Sequence, residues 1–165
     1  MISNTYFTSN ISLKNTTTLP NNIHYFFEGD FTELIELDNS KIHIDTLTSV
    51  VPFIDIVDYK LYKYTKSNSY SGLSLPNNKL IVELNFSRHI KYVSENKISS
   101  SMINLDDITR IVSIAIPDKI YDIPINDIIR RGDFNITPYI ENIFFKKITN
   151  RSFLISISTL INVKF

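Results

Sequence analysis

His24, His43 and His89 are the only imidazoles in the chain, and imidazole is the side chain most suited to metal ligation or proton transfer near neutral pH. They lie far apart, and none stands in ligand spacing with a carboxylate on the same face of an element. A three-histidine site would have to be assembled wholly by the fold. Asp55 and Asp58, and the adjacent Asp106-Asp107, are the carboxylate pairs that could serve a calcium ion or general acid–base chemistry. Neighbouring residues in a strand point to opposite faces, so Asp106-Asp107 reads as a solvated loop. With no cysteine there is no thiolate nucleophile, no disulfide and no cysteine zinc site. No glycine-rich phosphate loop and no serine nucleophile elbow are present. The expectation is a chain with no catalytic residue, no metal site and no cofactor, and therefore not an enzyme.

One segment has the composition of a binding surface. Asp58 to Tyr70, DYKLYKYTKSNSY, interleaves Lys60, Lys63 and Lys66 with Tyr59, Tyr62, Tyr64 and Tyr70. Tyrosine stacks on sugar or base faces and lysine holds phosphate. In a strand, Lys60, Tyr62, Tyr64 and Lys66 share one face. The competing account is a hairpin whose solvent edge is guarded by lysine against aggregation. Arg131-Gly132-Asp133 matches an integrin-binding tripeptide, but Gly132 already has a local use as a helix stop. The sequons at Asn15 and Asn135 matter only in a secreted eukaryotic protein.

These residues must be positioned by sheets. The chain of 165 residues has a single alanine, no glutamine, and abundant Ile, Thr, Val, Tyr and Phe. Good helix formers are scarce and pleat-compatible residues are plentiful. Lys79 to Val93 is the clearest strand, with Leu80, Val82, Leu84 and Phe86 on one parity and Glu83, Asn85, Ser87 and His89 on the other. The Asp58 to Tyr70 segment closes a long β-rich stretch interrupted at Pro52, which marks an edge, bulge or junction. The run ITRIVSIAIP ends in a strand stopped by Pro117. INDIIRRGD resembles one or two helical turns. FNITPYIENIFFKKI and SFLISISTLINVKF, joined at Thr149-Asn150-Arg151, form a closing hairpin, with Ile155, Ile157, Thr159 and Ile161, or their opposite parity, facing the Leu80 series. The fold class is mainly β: an antiparallel β-sandwich-like single domain over 15–165, one short helical segment, and an extended N-terminal arm over 1–14. In the arm, Ile2, Phe7, Ile11 and Leu13 supply more apolar surface than a free tail exposes, so they are the expected intersubunit contact; the competing account packs the arm against its own domain.

Seventeen basic and seventeen acidic side chains balance to a formal charge of zero, which removes the bulk attraction to nucleic acid or anionic lipid. The N-terminal MISNTYFTSN lacks the basic and apolar regions of a signal peptide, and no apolar run approaches the roughly 20 residues of a membrane helix. Neither nucleic acid nor membrane is expected as a partner.

Several sequence words resemble a known family. VDYKLYKY, a loop containing Gly72, then KLIVELNFSRHIKYVSE is similar to the middle of the SPOCS domain, the module of the clostridial spore-morphogenesis protein SipL. ITPYIENIFFKKITNRSFLISISTLINVKF resembles that family's ending, and FTELIELDNSKIHIDTLTSVVPFIDIVDYKL its opening, so the likeness spans about residues 30–165. Leu84 stands where the family has a glycine after KLIVE, DDITRIVSIAIP recasts the aromatic-Pro-Phe segment, and no LysM module follows in these residues. The resemblance implies a divergent, non-enzymatic, spore-associated protein of a low-GC Firmicute, made in the mother-cell cytoplasm, and transfers no catalytic residue. The expected function is a self-assembling structural protein of the spore surface: a coat, exosporium or appendage subunit (a filament among its forms). Its partners would be itself and other spore-coat proteins. The alternative is a spore-morphogenesis adaptor or ligand-binding module that grips a coat protein or glycan through the Tyr/Lys segment.

Overall fold

The computed structural model of the chain describes Leu19, Asn21 and residues 23–37, 43–63, 78–94 and 100–165. The elements in chain order are β1 (Tyr25–Glu36), β2 (Ile44–Lys63), β3 (Asn78–Ser94), β4 (Ser100–Ile116), β5 (Lys119–Ile120), β6 (Ile123–Pro124), α1 (Ile125–Arg131), β7 (Asn135–Lys147) and β8 (Ser152–Lys164). Two three-stranded antiparallel sheets, ordered β1-β8-β7 and β2-β3-β4, pack face to face, with β1 across from β4 and β7 across from β2. The fold is a mainly β sandwich.

The two central strands carry the core. On β3, Leu80, Val82, Leu84, Phe86 and Ile90 are buried, as the period-two reading requires, and on β8 the buried parity is that of Phe153, Ile155, Ile157, Thr159 and Ile161. Each sits between two hydrogen-bonded neighbours and beneath the opposite sheet, which removes nearly all of its apolar surface from water. The β7–β8 hairpin forms as expected, with Thr149 Oγ1 and Ser152 Oγ 2.8 Å apart and Thr149 N donating to Ser152 O at 3.0 Å across the turn. That turn also clasps the passage from β1 to β2: Leu37 N donates to Arg151 O at 2.9 Å and Ile44 N to Asn150 O at 2.8 Å.

Strand β2 departs from simple alternation. Its inward residues Ile44, Leu47 and Val50 recur every third position, because register shifts at Ile44/Thr46 and Leu47/Ser49 each insert one extra residue. A third shift at Ile56/Asp58 reverses the parity of everything after it and leaves Val57 exposed. Pro52 lies inside continuous β2 rather than at a break, and β2 is an edge strand, where a residue without an N–H is tolerated.

Sheet crossing is handled by the segment after β4, which ends at Ile116 before Pro117. β5 and β6 form a two-residue hairpin whose tip residues, Tyr121 (φ 48°) and Asp122 (φ 64°), both occupy the left-handed region. Helix α1 follows, its first N–H taken by Asp118 O at 3.0 Å, with Ile125 and Ile128 buried. Gly132 (φ 73°) ends it, Gly132 N donating to Ile129 O and Asp133 N to Ile128 O. Arg131-Gly132-Asp133 is thus a helix terminator.

Candidate functional site

The Tyr/Lys segment divides between two faces. Leu61 pairs with Leu80 and Tyr59 with Val82, so after the third bulge the odd-numbered residues of β2 face the core side. Tyr59, although 43% exposed, sets its ring edge-to-face on Phe134 at 5.1 Å. Phe134 stacks on Phe165 at 6.1 Å and Phe165 meets Tyr25 at 5.4 Å, so one aromatic run links β2, the α1–β7 connection, the C-terminal residue and β1. Such pairs contribute about 0.5–1.5 kcal/mol each beyond their area. Lys60 and Tyr62 stay on the outward face, with Lys60 Nζ 5.4 Å from the Tyr62 ring centroid. Lys63 pairs with the buried Asn78 and belongs to the other parity. Tyr64, Lys66 and Tyr70 lie outside the described residues. Within them the expected binding surface reduces to Lys60 and Tyr62.

The carboxylates and histidines remain scattered. His24 and His43 are exposed, while His89 is half-buried with its ring 5.0 Å from Phe53. Among the described residues, no three His, Asp or Glu side chains converge in a metal-binding arrangement. Asp106-Asp107 was expected in a loop, and this requires correction. The two residues lie inside β4, at the register shift where Phe86 pairs with Ile108 and Arg88 with Leu105. Asp107 accepts a 2.8 Å hydrogen bond from Asn85 Nδ2 on the neighbouring strand.

The fold creates a charged centre that the sequence motifs did not announce. Arg88 occupies the inward parity of β3, in line with Leu80 to Phe86, and its side chain is 5% exposed. It crosses to the opposite sheet and forms an ion pair with Glu33 of β1, whose side chain is 29% exposed. Arg110 of β4, half-buried and paired in register with Leu84, lines the same seam. Together with Phe31, Phe86, Ile108 and Ile155 these residues enclose a cleft of about 20 Å³, room for one water. A seam of that size holds the sheets together; it does not admit an organic substrate. The signal that could have found it is a cation at an inward strand position, which demands a buried anion from a facing strand.

The sheet edges differ in how they are protected. A strand edge presents unpaired N–H and C=O groups, and natural proteins blunt it with proline, lysine, bulges or inward charges. β2 carries Pro52, three register shifts, Lys60 and Lys63; β7 carries Pro138, the shift at Ile140/Asn142, Lys146 and Lys147; β4 carries its bulge and the inward Arg110. β1 runs twelve residues against β8 without a register shift, proline, lysine or arginine. Its single inward charge, Glu33, is committed to Arg88. Ile2, Phe7, Ile11 and Leu13 of the arm lie outside the described residues. No family model matches the chain, and no curated protein or solved structure does either.

Proposed function

We propose that this chain is a non-enzymatic structural subunit of the bacterial spore surface, in coat, exosporium or appendage, that assembles with copies of itself through β-strand contacts. The observation that carries the assembly reading is β1: a regular edge strand of twelve residues, about 40 Å long, without the proline, lysine or bulge that blunts the other edges. Main-chain hydrogen bonds along such an edge supply affinity, and alternate side chains supply register. The spore assignment draws on the resemblance of the KLIVE and PYIE segments and their surroundings to the SPOCS domain. Negative-stain microscopy and light scattering of the purified protein test the assembly reading: regular fibres or sheets are expected, and a monodisperse monomer at high concentration overturns it. Proteomics of purified spores from the source organism tests the location, and absence of the protein from the spore fraction counts against it.

A second reading, an adaptor or ligand-binding module for a coat protein or glycan, is favoured by one observation: Lys60 and Tyr62 form an exposed cation–aromatic pair on the outward face of β2. Saturable binding of a coat protein or glycan that is lost in Tyr62→Ala, in a protein that stays monomeric, supports this reading.

A further inference from the structure

The self-assembly reading leaves open which segment meets the unguarded edge. The exposed acidic residues of β1 narrow the choice. Glu28, Asp30 and Glu36 are exposed along β1, no cation accompanies them on the strand, and Glu33 is already paired. Edge-to-edge pairing of two β1 strands would bring these carboxylates together, and like charges across a strand pair are destabilising. A second β1 is therefore a poor occupant.

The chain itself carries a better one. Residues 1–24, ahead of β1, contain no Asp or Glu and include Lys14. Read as a strand, Phe7, Ile11 and Leu13 fall on one parity and Thr8, Ser12 and Lys14 on the other. The inward residues of β1, Tyr25, Phe27 and Phe31, are only half-buried, and among the described residues β1 is hydrogen-bonded to one strand alone, β8. A strand laid there would cover them with Phe7, Ile11 and Leu13 while Lys14 met the acidic outer face. The ten residues 15–24 span up to about 33 Å when extended, enough to leave one copy and reach the next. They also exceed the two to five residues of an ordinary hairpin loop, which disfavours folding back on the same copy.

We propose that residues 7–14 of one copy add as a strand to the open edge of β1 in the next, making a head-to-tail contact that propagates. A heterologous contact of this kind generates an open filament or a ring. The inference rests on the self-assembly reading and names its donor and acceptor.

The absence of cysteine provides a clean background for the test. Protein carrying Ser12→Cys is mixed with protein carrying Thr32→Cys or Leu34→Cys on the exposed outer face of β1 and treated with a short bis-maleimide. Lys60→Cys on β2 and Lys146→Cys on β7 serve as controls, all four acceptor positions being exposed. Covalent heterodimers with the β1 variants, and at least tenfold fewer with the two controls, are expected. Polymers that form without β1 cross-links, or with cross-links mainly to β2 or β7, overturn this inference and leave the self-assembly reading standing. Intramolecular cross-linking of a Ser12→Cys/Thr32→Cys double variant at a dilution where the protein is monomeric also overturns it, by placing the arm on its own edge. A protein that stays monomeric at every concentration defeats the self-assembly reading itself.

Discussion

Replacing Glu33 by Leu should cost more stability than replacing Arg88 by Met, although both break the same ion pair. The Arg88 side chain is 5% exposed and that of Glu33 is 29% exposed. Without Glu33, a guanidinium stays locked between the sheets with this carboxylate gone. Removing one partner of a buried pair costs about 3–5 kcal/mol. The adjoining cleft of about 20 Å³ admits a water to the guanidinium, which puts Glu33→Leu near the lower limit, about 3 kcal/mol. Without Arg88, the carboxylate sits where water already reaches nearly a third of it, and the cost falls to about 1–2 kcal/mol. The double variant exchanges the pair for two apolar side chains of similar volume and should lie within about 1 kcal/mol of the parent. The cycle then closes with a coupling of about 3–5 kcal/mol. Urea denaturation followed by far-ultraviolet circular dichroism, below the assembly concentration, reads all four proteins. Two outcomes refute the reasoning: single costs that simply add in the double variant, or an Arg88→Met protein less stable than Glu33→Leu.

Further expectations are simpler. Leu84→Ala removes a fully buried side chain from the middle of β3 and should cost about 2–5 kcal/mol by the same denaturation assay. Tyr59→Ala should lower the melting temperature by a few degrees because its ring packs on Phe134, whereas Tyr62→Ala should leave it unchanged within about 0.5 kcal/mol. Tyr121→Asn with Asp122→Gly, at a hairpin tip where both residues have positive φ, should raise stability by about 0.5–1 kcal/mol in thermal melts. Gly132→Ala meets no atom within 4 Å, so its expected loss of about 1 kcal/mol, seen in the same melts, measures backbone strain alone.

The residues explain which parts of this fold could be read in advance. On β3 and β8 the buried alternate positions are apolar apart from Asn78, Arg88 and Thr159, so a period of two named the core and the closing hairpin directly. On β2 three bulges break that period, and Ile44, Leu47 and Val50 take a spacing that belongs to no regular strand. The parity reversal at Val57 is why Tyr59 serves the aromatic run while Lys60 and Tyr62 face outward. Asp106-Asp107 looked like loop because paired carboxylates are poor strand formers. They are tolerated at a bulge on an edge strand, where part of the ladder is already open. The Glu33–Arg88 pair joins residues 55 positions apart, and local pattern holds no record of such a meeting. Arg88 at an inward position was the trace it left, and an anion on another strand was the deduction available.

The place of β8 between β1 and β7 has a consequence for how the chain comes into being. Strands β2, β3 and β4 are consecutive and can pair as they leave the ribosome. β1 cannot, because its partners lie far downstream: Thr32 meets Ser156 across 124 positions and Asp30 meets Ser158 across 128. Closing loops of that length is slow, and an unpaired strand is exposed to other chains while it waits. Throughout translation, therefore, β1 has both edges open rather than one, and Ser152–Lys164 closes only the inner one when it arrives. Nascent chains on one messenger would be able to capture each other at β1 before any of them is finished. Holding back synthesis of the last strand, or trimming it, would leave β1 with two unpaired edges instead of one.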